Sequence, residues 1–392
     1  MNREREAELL ARLADPAAER PGPLGTHSMR NSASAYACAE RFARERAALF
    51  RRRPNLLGLS SECARPGDFL SADLGGVPVV AVRQSDGSLR AFVNACRHRA
   101  ARLVDGCGAF PRAAISCPYH GWMYELDGRL RARPGAEPGF DDVSKAELSL
   151  HTVAVHEAHG LIFARADGAA PFDVDGALHG AQQELGAYGL ADYCHIETRT
   201  QEVAFNWKLV IDTFTEPYHI PWLHKSSIAP HYYFDRWVFD AYGPHGRFIG
   251  VRKSVAAELE KPPGEERRLL PHGTTQYLLM PNAVLCHQID HVELWRVTPL
   301  AVDRTRVATS VFAPRVPESE KERSYWVKNL DVLLGVTNAE DFPAMARIQQ
   351  NLASGAVPEV VYGKMEPALV HFHESVNAAL ADDARPRGAR TS

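Results

Sequence analysis

The chain has 392 residues, 45% of them apolar and 24% charged, and a formal net charge of −3. Such a composition belongs to a globular protein; it excludes a disordered chain and a polycation drawn to nucleic acid by its bulk field. No stretch approaches the roughly 18 uninterrupted apolar residues of a membrane span, and the charged N-terminus lacks an apolar signal core, so a cytoplasmic protein without membrane contact is expected.

Residues 1–45 read as a polar helical arm, with runs such as REREAELLARL, broken near Pro21–Gly25. From 46 to 165 the signal becomes short strands: Val77–Val82 after a Gly-Gly turn, Leu89–Asn94 after Ser85-Asp-Gly, and two strand–turn–strand pairs around Asp127-Gly128 and His159-Gly160. This predicts a small all-β domain with long loops. Residues 166–382 alternate helix and sheet. A helical stretch spans Trp207–Leu223, and three successive strands are expected at Thr274–Cys286, Val292–Pro299 and Thr305–Phe312. Helices follow at Ser319–Leu334, Glu340–Leu352 and near 363–382. The expected second domain is α+β, an antiparallel sheet covered by helices, and 383–392 reads as a disordered tail.

Seven cysteines, odd in number and widely spaced, make no disulfide framework, and with 17 histidines they direct attention to metals. Cys96-Arg-His98 and Cys117-Pro-Tyr-His120 each place one thiolate and one imidazole in a loop, with 18 residues between the pairs. Two Cys and two His suit a tetrahedral zinc site or a [2Fe–2S] cluster with the thiolates on one iron and the imidazoles on the other. Cys107, between the loops, reads as a structural thiol.

A second constellation runs Asn206-Trp-Lys … Asp212 … Glu216-Pro-Tyr-His219-Ile-Pro-Trp-Leu-His224. On a regular helix, residues five apart lie about 140° from each other, so His219 and His224 share a metal only if Pro221 ends or bends the helix between them. Two imidazoles and one carboxylate form the facial set used for O₂ activation at ferrous iron. The third ligand is expected at Asp341, with its neighbour Glu340 as the substitute and Asp212 as a weaker alternative. Trp207, Phe214, Tyr218 and Trp222 are expected in the core, and His287 and His291 in solvent. Phe205, Leu209, Phe214, Leu223 and Leu285 are candidate pocket residues.

Cys96-Arg-His-Arg99 and Cys117-Pro-Tyr-His-Gly-Trp122, together with Asn206-Trp-Lys and the later Glu340-Asp341 and Gln349, closely resemble the α subunits of Rieske non-haem iron oxygenases. Ala100 departs from the glycine usual after Arg99, and Glu216 replaces the more common Asp, as in members acting on quaternary amines. The resemblance implies an all-β Rieske [2Fe–2S] domain, with Cys96, His98, Cys117 and His120 as cluster ligands, and a helix-grip catalytic domain. It implies mononuclear iron on His219, His224 and Asp341. It implies a head-to-tail homotrimer in which Glu216 bridges a cluster histidine of one chain to His219 of the next. Electrons would come from a ferredoxin or flavin reductase, since the chain has no dinucleotide fingerprint. The expected activity is hydroxylation or oxidative demethylation, by mono- or dioxygenation with O₂, of a small aromatic or quaternary-amine substrate. The rivals are a Rieske electron-transfer protein without oxygenase activity and a zinc-stabilised binding protein.

Overall fold

A computed structural model describes residues 1–14, 24–135, 137–262 and 265–383. The chain divides into two compact units. One holds Leu49–Ala177 and Gly189–Asp192; the other holds Met1–Ala48, Leu178–Tyr188 and the chain from Tyr193 onward. The expected tail lies outside the described residues except for Asp383, which ends the last helix. No described helix is long and apolar enough to cross a membrane.

The first unit is built on a seven-stranded antiparallel sheet. Its order is Asn55–Leu59, Leu161–Arg165, Thr152–Ala158, Leu89–Val93, Val77–Arg83, Asp68–Leu74 and Cys107–Ala109. Along Val77–Arg83, Val79 and Ala81 pack with Leu57 and Ile162, while Val80 and Val82 pack with Phe92, Trp122 and Tyr124 on the opposite face. A strand buried on both faces reads as an unbroken apolar run, as this one does. Cys107 is exposed rather than a buried structural thiol, on a three-residue strand at the edge of the sheet. A second sheet of three short strands, Ala114–Ser116, Met123–Glu125 and Leu130–Ala132, carries the second Cys-His loop in its first connection. Gly128 turns the next connection with φ of +86°, and a Cβ there would sit 2.5 Å from the Phe92 ring. Only glycine meets both conditions.

The second unit holds another seven-stranded antiparallel sheet. Tyr232–Tyr242, His245–Arg252, Gly273–Leu279, Ala283–His287, Val292–Ala301 and Arg304–Ala313 follow one another as a meander, and Cys194–Val203 adds beside the last. The strand expected over Thr274–Cys286 is thus two strands, parted at Pro281, which has no N–H to give the ladder. The arm helix Arg3–Ala14 buries Leu9, Leu10 and Leu13 against Val238, Ile249 and Val251, on one face of this sheet. The opposite face is left to the site described below.

The Asn206-Trp207-Lys208 run is an anchor. The Asn206 side chain caps the helix Trp207–Asp212 by accepting from Lys208 N at 3.1 Å, and donates to Val302 O at 2.7 Å. Lys208 and Glu45 are both fully buried and paired at 2.6 Å, and Trp207 Nε1 donates to the same carboxylate at 3.0 Å. Breaking a buried pair of this kind strands a charge, at a cost of about 3–5 kcal/mol. The run therefore fixes the start of the segment that carries Glu216 and His219.

Candidate functional site

The two Cys-His loops have the same backbone geometry. Ala100 N donates to Cys96 O at 2.9 Å, and Gly121 N donates to Cys117 O at 3.1 Å. Each loop turns through the left-handed region at that fifth residue, with φ of 57° at Ala100 and 69° at Gly121. The departure from glycine at Ala100 therefore falls where an L-residue is strained, yet the turn is kept. Both cysteines are buried, Cys96 3% and Cys117 4% exposed, whereas His120 is exposed and His98 half-buried. The imidazoles meet with their Nδ1 atoms 3.1 Å apart, and His98 stacks on Trp122. Burial pushes the Cys96 thiol up, and the adjoining Cys117 thiol adds to the shift. Tyr124 OH lies 3.2 Å from Cys96 Sγ and accepts from Arg97 N at 3.0 Å.

A single tetrahedral zinc would draw all four ligand atoms to within about 4 Å of one another. Among the described residues, the one group of three or more His, Cys, Asp or Glu that converges within 4.8 Å is His219, His224 and Asp341. An inner sulfur pair and an outer imidazole pair suit a two-iron cluster with unlike ends.

The His219/His224/Asp341 group is assembled from two elements. The expected helix over Trp207–Leu223 is interrupted: Trp207–Asp212 ends, and a single helical turn, Ile220–Leu223, follows His219 with Pro221 in its first positions. His224 leaves that turn at φ −97° and ψ 29°, and this brings its ring to 5.1 Å from that of His219. Asp341 ends a π-helical turn, Thr337–Asp341, between the helices Glu320–Val336 and Phe342–Ala353. Asp341 Oδ1 lies 3.1 Å from His224 Nε2 and 3.8 Å from His219 Nε2.

Both outer nitrogens are held by carboxylates. His224 Nδ1 donates to Glu340 Oε2 at 2.5 Å, and Ser227 Oγ donates to the same oxygen at 2.8 Å. His219 Nδ1 donates to Glu216 Oε1, and His219 N donates to Glu216 Oε2 at 3.0 Å. A carboxylate only accepts, so each Nδ1 carries a proton and each Nε2 is turned toward Asp341. Burial works against a charged His224, but hydrogen bonds to Asp341 and Glu340 raise its pKa. Glu340 is therefore not the substitute for Asp341 but the partner of His224. Asp212 is turned away, accepting from Tyr36 OH at 2.6 Å and pairing with His373 Nε2 at 2.9 Å. Glu340→Ala is expected to weaken Fe(II) binding about 10–100-fold with the cluster retained. Calorimetric titration of Fe(II) into iron-depleted protein reads this; an unchanged affinity contradicts the assignment.

The three residues open onto a cavity of about 360 Å³. Its far wall is the free face of the sheet. Alternation along the strands turns Phe248, Gly250 and Arg252 inward, then Thr274 and Gln276, Cys286, and Glu293 with Trp295 on successive neighbours. Of the candidate pocket residues only Phe214 lines it; Phe205, Leu209 and Leu285 are core, and Leu223 is not part of the wall. Phe214 is thus not a plain core residue, and Tyr218 and Trp222 are 56% and 77% exposed, since the single turn Ile220–Leu223 has one inward face and Ile220 and the histidines occupy it. His287 and His291 are buried, 7% and 6% exposed, not solvated. His291 joins Asp290 at 2.8 Å and Glu293 at 3.2 Å; burial opposes its charge, but the two carboxylates raise its pKa. His287, without such partners, is pushed down to about 4, chiefly by burial.

A family model for the Rieske [2Fe-2S] domain matches residues 54–155, and one for the ring hydroxylating alpha subunit (catalytic domain) matches residues 190–382. The chain belongs to the Rieske non-haem iron oxygenase α subunits. This α subunit is 28% identical, over 68% of its length and 67% of the relative's, to the glycine betaine monooxygenase oxygenase subunit of Chromohalobacter salexigens. It is 32% identical to the carnitine monooxygenase oxygenase subunit of Acinetobacter baumannii, over 47% of its own length and 49% of the relative's, so that match spans about half of either chain. Its fold is similar to a crystal structure of a quaternary ammonium Rieske monooxygenase in complex with L-carnitine, with a TM-score of 0.74 and 21% identity over 89% of this chain and 94% of that one. The family's Rieske domain binds a [2Fe–2S] cluster, and its catalytic domain uses mononuclear iron.

Proposed function

We propose that this α subunit inserts oxygen into a small quaternary-amine substrate, hydroxylating it or removing a methyl group oxidatively. The observation that carries this is the convergence of His219, His224 and Asp341 on the wall of one cavity, each imidazole braced by its own carboxylate. His219, His224 and Asp341 would hold a ferrous ion through two imidazoles and one carboxylate, the donor set suited to O₂ activation. When bound there, ferrous iron would supply O₂ activation, and Cys96, Cys117, His98 and His120 would hold a [2Fe–2S] cluster that supplies electrons singly. The balance is substrate, O₂, two electrons and two protons giving hydroxylated product and water. Glu216 and Glu340 keep the Nδ1 protons in place, and Phe214 and Ile220 line the cavity beside the histidines. The substrate class is favoured by Glu216 at the usual Asp position and by the relatives named above.

The working assembly we propose is a cytoplasmic head-to-tail homotrimer fed by a separate reductase or ferredoxin. His120 is exposed on its unit, as a donor to a neighbouring chain must be, and Glu216 already holds the Nδ1 of His219. In the test, protein with both centres filled is given NADH, a surrogate reductase and a panel of quaternary amines. O₂ uptake matched by hydroxylated or demethylated product is expected. No uptake with any of them, although the cluster is reduced, leaves the electron-carrier reading instead.

A further inference from the structure

The cavity wall contains one Lys or Arg side chain, Arg252, at the end of the strand His245–Arg252. It is half-buried and tied to one residue, Tyr232: its Nε donates to Tyr232 OH at 3.1 Å and its guanidinium carbon lies 5.3 Å from the centre of that ring. Its terminal nitrogens have no hydrogen-bond or ion-pair partner among the described residues. The tie belongs to a directed chain. Thr274 Oγ1 donates to Gln288 Oε1 at 2.9 Å, so the 2.7 Å contact between Tyr232 OH and Thr274 Oγ1 has tyrosine as donor. Gln288 Nε2 then donates to Glu293 at 3.2 Å. Every proton in the chain points from Arg252 toward Glu293, so the tyrosine oxygen is left to accept from the guanidinium. Glu293, a buried carboxylate on the sheet face of the cavity, is spent on Gln288 and His291 and makes no hydrogen bond or ion pair with Arg252. Nearby, Trp295 Nε1 and Gln276 Oε1, in side chains of the same wall, are buried polar atoms without partners.

A guanidinium fixed through Nε, with its terminal fork free, matches a planar carboxylate bidentately. We infer that the substrate is a small organic carboxylate, with its acid group on Arg252 and its oxidised carbon toward His219, His224 and Asp341. This rests on the cavity being the substrate pocket and adds the recognised group to that reading.

The test is isothermal calorimetry of the purified protein with glycine betaine, carnitine and benzoate, each against its primary amide. In the wild type at least one acid should bind 10-fold or more tightly than its amide. Arg252→Gln should abolish that preference while the affinity for the amide stays within 2-fold, and Arg252→Lys, which keeps the charge without the fork, should retain part of it. A wild type that prefers no acid over its amide overturns the inference, and so does a Gln variant that weakens acid and amide alike. Because binding is read without turnover, a chain that holds carboxylates through Arg252 yet consumes no O₂ overturns the oxygenase reading alone.

Discussion

His219→Ala is expected to abolish product formation, a loss on the order of 1000-fold or more, while leaving the cluster's visible and EPR spectra unchanged. The imidazole supplies one of three converging groups in the second unit, and the cluster residues belong to the other unit. Alanine removes the metal-facing nitrogen and also leaves Glu216 Oε1 without its donor, while Oε2 keeps the backbone N–H of residue 219. Metal content should fall by one iron per chain with sulfide constant. Loss of the cluster spectrum in this variant would place His219 at the wrong centre, and retained turnover would remove it from the metal site altogether.

Glu216→Gln has a subtler chemistry and nearly as large an effect. The amide oxygen can still accept from His219, so orientation of the ring survives, but the negative charge does not. Both metal centres should therefore fill, while transfer of an electron from the reduced cluster to the iron site slows about 10–100-fold. Stopped-flow reoxidation of the reduced cluster, in the presence of O₂ and substrate, reads that step directly. Glu340→Ala is the useful contrast: it acts on His224 and is read in iron affinity, so the two carboxylates separate by which quantity moves. Full single- and multiple-turnover rates in Glu216→Gln would mean that the charge has no part in electron delivery.

The Cys-His loops were legible because they are local: a residue spacing and one left-handed turn determine each loop, and both are written in six consecutive residues. His219 and His224 were legible once Pro221 was allowed to end the helix between them. Glu340 and Asp341 were harder to tell apart, since adjacent helical residues face different ways and the π-helical turn Thr337–Asp341 decides which faces the histidines. A single extra residue in a helical turn has no clear sequence mark. The cavity wall was least legible, because five strands contribute to it and its membership depends on their register. One signal was present: Glu293 stands between the buried Val292 and Leu294, where a carboxylate needs a reason. His287 and His291 read as solvated because they flank a turn, but the carboxylates of Asp290 and Glu293 let His291 be buried.

Whether two different iron centres share this chain is decided by metal and acid-labile sulfide analysis of anaerobically purified protein, with EPR after dithionite reduction. Three irons and two sulfides per chain are expected, by the arithmetic of one [2Fe–2S] cluster and one ferrous ion, with a reduced signal of the Rieske type. Zinc without sulfide would contradict it, as would two irons and two sulfides that Fe(II) added back cannot raise to three.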